Sequence, residues 1–469
     1  MMSGEEVASI PVVGLSDVKS LKQQLHRLHR LPARFRQRLF HCGSALHDAA
    51  KLDSLEDLEL VLLSYHAASQ ARADELITAA RNGCVAKVEA LLQQPQNPDL
   101  TLEDGSSPLM LACLGNHLGV VSLLLEAGAN KDLADNDGLN GLMLAAHKGH
   151  FEVAHLLLDA GADKDLANHN GLTALIIASE RGHAEVVRLL LEAAADKDST
   201  SNNHFNGLMM ASHSGHDEVV RLLLDAGAST DLANTDGFTA LIFASEAGHI
   251  EVVRLLLDAG ADKDLANNDG LNGLMLASRD GHTEVVRLLL EAGADKDRAN
   301  NNGFTGLMFA SQNDHVQVLR LLLDAGANKD LTNDRGLTAL MIASLTEHVE
   351  VVRLLLEAGA EKDSVSYNGV NALIIASQKG HAEIVRLMLA AGANKDQANT
   401  FGFNSLMLAS HEGHIEVARC LLEAGADKNA ANNFGGTAIM IASQSGHVQV
   451  ARLLLEAGAD NSLADSAPP

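Results

Sequence analysis

One stretch, DGFTALIFASEAGHIEVVRLLLDAGADKDLAN from Asp236 to Asn267, decides the fold. Asp236-Gly237 is typical of a tight turn. Thr239 is a suitable N-cap for a short helix over 240–247, in which apolar residues recur at helical spacing. Gly248 breaks this helix, because glycine weakens a helix and accommodates a loop. The first half of the stretch therefore predicts a turn followed by a short helix.

The second half predicts another helix, over 249–259, which ends at Gly260 because glycine favours the left-handed backbone of helix C-termini. The tail ADKDLAN then leads extended into the next turn. The pattern recurs every 33 residues from about residue 72 onward. One column consists of Gly128, Gly161, Ala194 in the place of a glycine, Gly227, Gly260, Gly293, Gly326, Gly359, Gly392, Gly425 and Gly458. Another consists of His117, His150, His183, His216, His249, His282, His315, His348, His381, His414 and His447.

This pattern resembles the ankyrin repeat, whose length, turn and two antiparallel helices it matches over about 390 residues. About twelve units are predicted, of which the first, over 74–100, is degenerate and has Pro95 in the Gly column. Where the family has T-P-L-H, most units have Thr or Asn, a small residue, Leu, and Met or Ile, and only 107–110 keeps the proline. An apolar contact thus replaces the family's Thr-to-His hydrogen bond. The resemblance implies an all-α repeat solenoid of helix-turn-helix units with hairpins over 72–465, followed by a tail over 466–469.

Residues 1–65 differ from the repeats and predict a small α+β module, which a linker over 66–71 joins to the array. The segments GEEVASIPV, FRQRLFHCGSAL and DLELVLL favour strands. The segment SDVKSLKQQLHRLHRLP predicts a helix that is capped by Ser16 or Asp17 and ends before Pro32. The apolar stripe of this helix consists of Val18, Leu21, Leu25 and Leu28.

The order of these elements is similar to that of a ubiquitin-like β-grasp module. LPARFRQRLFHCGSAL resembles that family's helix exit, third strand and following turn, and LELVLL resembles its last strand. The family's central first strand is missing and the segment between Leu52 and Leu58 is short, so we expect either a start at an internal Met or a strand donated by something else. The resemblance implies that Phe40 and Val61 lie where the family carries its apolar recognition patch. The alternative is that both are ordinary strand residues.

The charge of the chain is strongly acidic, with 35 Lys and Arg against 61 Asp and Glu and a net charge of −26. The whole excess lies after residue 70, and it disfavours binding to nucleic acid and to acidic lipid. No apolar run approaches the roughly 20 residues that span a bilayer, and no secretory signal opens the sequence. The four cysteines are scattered singly, which indicates an intracellular setting, with the cytoplasm expected and the nucleus as the alternative.

Two repeated columns resemble chemical sites. His147 with His150 forms an H-x-x-H pair, but members of the His column lie a whole repeat apart, so a structural use is expected instead of a metal site. The column that runs from Arg188 to Arg452 has Glu or Gln three residues earlier, which predicts exposed ion pairs instead of a phosphate ladder. No catalytic motif occurs, so neither an enzyme nor a cofactor is expected.

Specificity in a solenoid lies in the positions that vary between units. One such set stands at the end of each first helix, which by resemblance to ankyrin arrays faces the concave groove; the alternative is drift at exposed positions. The candidate residues are His147, Lys148, Glu180, Arg181, His213, Glu246, Arg279, Asp280, Gln312, Gln378, Lys379, His411 and Glu412.

A second set lies at the hairpin tips, where most units carry Asp or Asn. Late units carry Arg335, Tyr367, Phe401 and Phe434 instead, in a chain with only 2 Tyr and 11 Phe. Exposed aromatic residues near Arg are typical of interface hot spots, although the rings could instead pack on neighbouring hairpins. A different irregularity, Ala194 and His204 at positions that want positive φ, predicts a locally weak unit.

These observations predict a non-enzymatic scaffold or adaptor that binds a protein, expected to be basic, through the groove and hairpin tips. One alternative is an inhibitory or regulatory subunit that occludes a partner enzyme. Another is an adaptor that reaches ubiquitin-pathway proteins through residues 1–65. No cofactor, nucleic acid or membrane insertion enters any of these hypotheses.

Overall fold

The computed structural model describes residues 15–52, 58–65 and 70–460. The strand predicted for GEEVASIPV, the tail over 466–469 and most of the linker lie outside the described residues. The chain divides into two compact units, Met1–Ser229 and Thr230–Pro469. The first contains the N-terminal module and five helix pairs, and the second contains seven helix pairs, all counted over the described residues.

In its described residues, 15–52 and 58–65, the N-terminal module contains one α-helix and a three-stranded antiparallel sheet in the order β2-β1-β3. Asp17 caps the helix, since its Oδ1 accepts a hydrogen bond of 2.8 Å from the backbone N–H of Ser20. The elements are α1 Val18–His29, a 3-10 turn Arg34–Arg36, β1 Gln37–His41, β2 Ser44–Ala45 and β3 Glu59–Leu62. The predicted helix and its cap at Asp17 are thereby confirmed.

The core of the module lies between α1 and the sheet. Val18, Leu21 and Leu25 are buried together with Leu39 and Leu52. The prediction is wrong for the fourth member of the stripe, because Leu28 is 61% exposed. The core reaches only as far as Leu25, and the last turn of α1 extends beyond it.

The helix pairs of the repeats have nearly constant lengths. In the unit Met1–Ser229 they are α2 Gln70–Arg81, α3 Val85–Leu92, α4 Pro108–Leu114, α5 Leu118–Glu126, α6 Gly141–Lys148, α7 Phe151–Asp159, α8 Ala174–Arg181, α9 Ala184–Glu192, α10 Gly207–Ser214 and α11 Asp217–Asp225. In the unit Thr230–Pro469 they are α12 Ala240–Ala247, α13 Ile250–Asp258, α14 Gly273–Asp280, α15 Thr283–Glu291, α16 Gly306–Gln312, α17 Val316–Asp324, α18 Ala339–Leu345, α19 Val349–Glu357, α20 Ala372–Lys379, α21 Ala382–Ala390, α22 Ser405–Glu412, α23 Ile415–Glu423, α24 Ala438–Gln444 and α25 Val448–Glu456.

Local sequence explains why each pair forms. The hydroxyl of Thr239 accepts from the backbone N–H of Ile242 at the start of α12, and Gly248 ends this helix with φ +77°. The helices α12 and α13 have the predicted bounds to within one residue. Within each unit, first helices pack on first helices of the next repeat and second helices on second helices, so every repeat is stabilised by its neighbours.

The His column joins successive repeats, as the structural interpretation predicted. Nε2 of His282 lies 2.9 Å from the backbone oxygen of Glu246 in the preceding repeat. A carbonyl only accepts hydrogen bonds, so Nε2 carries the proton. A Cβ added at Gly248 would lie 2.6 Å from this ring, which is why glycine stands there. The predicted ion pairs of the Arg column are also present, for example Arg353 Nε to Glu350 Oε2 at 3.2 Å.

A ladder of carboxylates, which the sequence pattern did not reveal, adds a second bond between repeats. Asp264 Oδ1 accepts a hydrogen bond of 2.8 Å from the backbone N–H of Asp295 in the next repeat. Asp297 accepts in the same way from Asn328. The constant spacing of the tail from repeat to repeat thus satisfies backbone N–H groups that would otherwise lack a partner between two loops.

The irregular repeat adopts the backbone that its sequence predicts. Ala194 and His204 have φ of +59° and +61°, the left-handed region in which a side chain is strained. Three further residues other than glycine have positive φ directly before a member of the His column, namely Asn116, Asp314 and Glu347.

Candidate protein-binding surface

The predicted column at the ends of the first helices is accessible throughout. Each candidate lies in the last turn of its helix and is half-buried or exposed. His147 shows how the surroundings set the charge here. Burial, together with the charges of Arg181 and Lys148, lowers the pKa of His147 below its ordinary value, so its ring is neutral at pH 7. The charge of this part of the surface therefore comes from the Lys, Arg and Glu side chains around it.

In the unit Thr230–Pro469 three of the candidates are joined by ion pairs. Arg279 Nη2 lies 3.0 Å from Glu246 Oε1 and 2.8 Å from Asp280 Oδ2. The hydrogen bonds to Asp280 and Glu246 raise the pKa of Arg279, as expected for a guanidinium between two carboxylates. The pairs fix the guanidinium across two repeats and leave one carboxylate charge in excess.

A groove of about 650 Å³ opens beside this cluster. Two of the predicted residues that line it, Arg279 and Gln312, come from adjacent repeats. Asn313 Nδ2 and His315 Nε2 each lie 2.9 Å from the backbone oxygen of Arg279, which holds the floor of the groove in place. The full lining is Arg279, Asp280, Phe309, Gln312, Asn313, His315 and His348. An aromatic ring beside fixed polar groups suits a peptide segment.

Four groove residues were not predicted from the sequence, namely Phe309, Asn313, His315 and His348. A signal was nevertheless present, because Asp314 and Glu347 replace glycine in the loop before two successive members of the His column. Asp314 Oδ1 lies 3.7 Å from His348 Nδ1, and Glu347 Oε2 lies 3.5 Å from His381 Nδ1. The two replacements add carboxylates next to the groove at the cost of a left-handed backbone.

The aromatic side chains at the hairpin tips are exposed, and side-chain hydrogen bonds fix the backbone of the loops that carry Phe401 and Phe434. Tyr367, Phe401 and Phe434 are 74%, 57% and 75% exposed, and Arg335 is exposed as well. Asn399 Oδ1 accepts from the backbone N–H groups of Phe401 and Phe403, each at 3.0 Å. Asn432 Oδ1 likewise accepts from Phe434 at 3.0 Å and from Gly436 at 2.8 Å. Phe434 touches Phe403, with ring centroids 6.4 Å apart, and still exposes three quarters of its surface.

Neighbouring tips are also bonded to one another. The backbone N–H of Asn433 donates to the oxygen of Phe401 at 3.1 Å, and that of Thr400 donates to Asn368 at 3.1 Å. A loop that is already ordered loses less conformational entropy when its exposed side chains become buried in a contact.

Comparison with known families identifies the repeats. The family model described as ankyrin repeats (3 copies) matches residues 76–168, 142–233, 193–267, 259–333, 307–399 and 373–465. The chain belongs to the ankyrin-repeat family. A search of curated proteins finds no significant match. Ankyrin repeats are protein interaction modules, and the match indicates no catalytic family.

The ankyrin match leaves the N-terminal module unassigned, and the geometry of its sheet places the two patch candidates. Arg38 pairs with Val61, and Phe40 pairs with Glu59. Because alternate residues of a strand share a face, Arg38, Phe40 and Val61 lie on one face and Leu39 lies on the other, in the core. Phe40 and Val61 are both half-buried.

Two further findings concern the residues that the structure describes. Over these ranges no helix is both long enough and apolar enough to cross a bilayer. Nor do three or more His, Cys, Asp or Glu side chains converge there in a way that could hold a metal ion.

Proposed function

We propose that this ankyrin-repeat protein is a non-enzymatic scaffold or adaptor that binds a partner protein at the ends of its first helices and at its hairpin tips. The observation that carries the proposal is the groove beside Arg279, because three residues predicted from sequence variation alone, Arg279, Asp280 and Gln312, line it. Positions that vary between otherwise similar repeats therefore lie on a grooved surface that combines charged, polar and aromatic side chains.

The groove favours a segment that combines a basic residue with an apolar one. Arg279 is already paired with Glu246 and Asp280, so it does not attract an acidic partner. Asp314 and Glu347 add negative charge nearby, and Phe309 offers a ring to an aliphatic or aromatic side chain. The charge of the array points to the same class of partner.

Two alternatives use the same surface differently. An inhibitory subunit would occlude the active site of a partner enzyme, so binding would abolish that enzyme's activity. An adaptor for the ubiquitin system would additionally engage a second protein through residues 1–65. The groove residues are compatible with each of these roles, and the identity of the captured partner separates them.

The test is affinity capture with the full chain and two matched variants. Gln312→Arg puts a positive charge at the groove, whereas Gln317→Arg makes the same change on the exposed side of α17 in the same repeat. Proteins retained from native lysate are quantified by mass spectrometry. We expect the amount of captured partner to fall by about tenfold or more with Gln312→Arg and to stay unchanged with Gln317→Arg.

Equal retention by both variants would refute recognition through the groove. Binding of the purified partner is then measured directly, together with its catalytic activity if it is an enzyme. Loss of that activity on binding favours the inhibitory alternative, and unchanged activity favours the scaffold.

A further inference from the structure

The N-terminal module contacts the second helices of the first two ankyrin repeats. Arg38 Nη2 donates a hydrogen bond of 2.7 Å to the backbone oxygen of Gln93, just after α3. Gln23 Nε2 lies 2.8 Å from Glu126 Oε1, at the end of α5. The hydroxyl of Tyr65 lies 3.3 Å from the backbone oxygen of Ala127. These bonds join three separate segments of the module to two successive repeats.

Arg34 is the anchor of this contact. Its side chain is 1% exposed, and Nη2 lies 3.0 Å from Glu126 Oε2 and 3.6 Å from Glu89 Oε1. On the module side, Nη1 lies 3.1 Å from Asp48 Oδ2, and Asp48 also pairs with Lys22 at 2.7 Å. A buried guanidinium is strongly destabilising without its carboxylates. Loss of Glu89 or Glu126 would leave Arg34 with fewer carboxylate partners and would therefore weaken the contact between the module and the repeats.

Of the two carboxylates that hold Arg34, Glu89 is the one that the regular repeats lack. Glu89 occupies the position that the regular repeats fill with the Arg column, beginning at Arg188. An arginine at position 89 would repel Arg34. At the position of Glu126, which is 23% exposed, the later repeats carry exposed carboxylates such as Glu192. The first repeat thus differs from the regular repeats at position 89 in a way that complements the charge of Arg34.

One bond of this contact starts from the face of the sheet that lies away from the core. Arg38 reaches the array from the face of β1 that also carries Phe40, and Val61 stands opposite Arg38 on β3. This face is therefore directed toward the end of α3. The half-burial of Phe40 and Val61 agrees with that orientation.

We propose that the first two ankyrin repeats bind the N-terminal module as an intramolecular ligand, anchored by Arg34 on Glu89 and Glu126, and thereby hold the face with Phe40 and Val61 against the array. A second protein reaches these two residues only by displacing the contact. The proposal is independent of the groove at Arg279, because it concerns different residues in the other unit.

The experiment uses the full chain and measures the reactivity of a thiol at position 61. Cys42 and Cys84, which are exposed, are replaced by Ser, while Cys113 and Cys420 are buried and stay. Val61→Cys is then labelled with a thiol reagent in three backgrounds: the reference, Glu126→Arg, and the matched control Glu192→Arg. We expect the labelling rate to rise by about tenfold or more with Glu126→Arg and to stay unchanged with Glu192→Arg.

Amide hydrogen exchange shows whether the module stays folded when it leaves the array. Hydrogen exchange of the amides in α1 stays within about twofold of the reference in Glu126→Arg if the module has left the array in a folded state. Arg38→Ala leaves Arg34, Lys22 and Asp48 in place, and it raises the labelling rate in the same direction by about two- to fivefold. The proposal is overturned if neither variant changes the rate, or if the thiol in the reference reacts as fast as native Cys42 does in the unmodified chain.

Discussion

A single carboxylate, that of Asp264, couples two repeats through the backbone. Its Oδ1 accepts from the N–H of Asp295, 31 residues along the chain, at 2.8 Å. Asp264→Ala leaves that N–H without this partner between two loops. We expect the local free energy of opening to fall by about 1–2 kcal/mol in the two repeats that the bond joins. Amide hydrogen exchange resolved along the chain measures this change.

Asp264→Asn is the matched control, because an amide oxygen accepts the same hydrogen bond. The chain itself uses this solution at Asn429, whose Oδ1 accepts from the N–H of Asp460 at 2.9 Å. We expect Asp264→Asn to retain most of the stability that Asp264→Ala loses. Equal losses in the two variants would show that charge, and not the hydrogen bond to Asp295, gives Asp264 its role.

The connection from α9 to α10 is predicted to be a locally weak element of the array. Ala194 ends the α9 segment with φ +59°, where equivalent repeats have glycine. Ala194→Gly removes this strain, and we expect the local free energy of opening near 194–206 to rise by about 1 kcal/mol. The neighbouring Ala193 has φ −73°, so Ala193→Gly gains no relief and is expected to lower the same free energy. Hydrogen exchange of α9 and α10 that responds equally to both variants would contradict the prediction.

Sequence predicted the elements well because their signals are local. The cap at Thr239 and the stops at Gly248 and Gly260 determine α12 and α13 within one repeat. The groove was only partly predictable, since Phe309 and His348 belong to neighbouring repeats and become neighbours only after stacking. Leu28 was wrong for a related reason, because a helical stripe does not reveal where the core beneath it ends.

The hairpin tips of the late repeats are elements whose aromatic residues add little to stability. We expect the triple variant Tyr367→Ser, Phe401→Ser and Phe434→Ser to weaken partner binding by about 100-fold, since interface hot spots are concentrated in such rings. The thermal midpoint should barely change because the rings are mostly exposed. Val365→Ser, which alters an exposed apolar residue outside the tips, is the control. Undiminished affinity in a calorimetric titration of the triple variant would show that the rings are not the hot spot.

At the scale of the whole molecule, the charge of the array acts over distances longer than any single contact. After residue 70 the chain has 53 acidic against 27 basic side chains, and the Arg column is occupied by ion pairs such as Arg386 with Glu383 at 3.0 Å. The net negative field therefore stays available to attract a basic protein. We expect the association rate with the captured partner to fall by about tenfold or more between about 0.02 and 0.3 M salt, because screening shortens the range of attraction.

The dissociation rate should change much less over the same range, since it depends on short contacts at the groove and the tips. Stopped-flow mixing separates the two rates. Gln312→Arg is expected to raise mainly the dissociation rate, while salt lowers mainly the association rate, so the two perturbations are distinguishable in one experiment. An association rate that is insensitive to salt would mean that the partner is not basic, and recognition would then rest on the apolar tips alone.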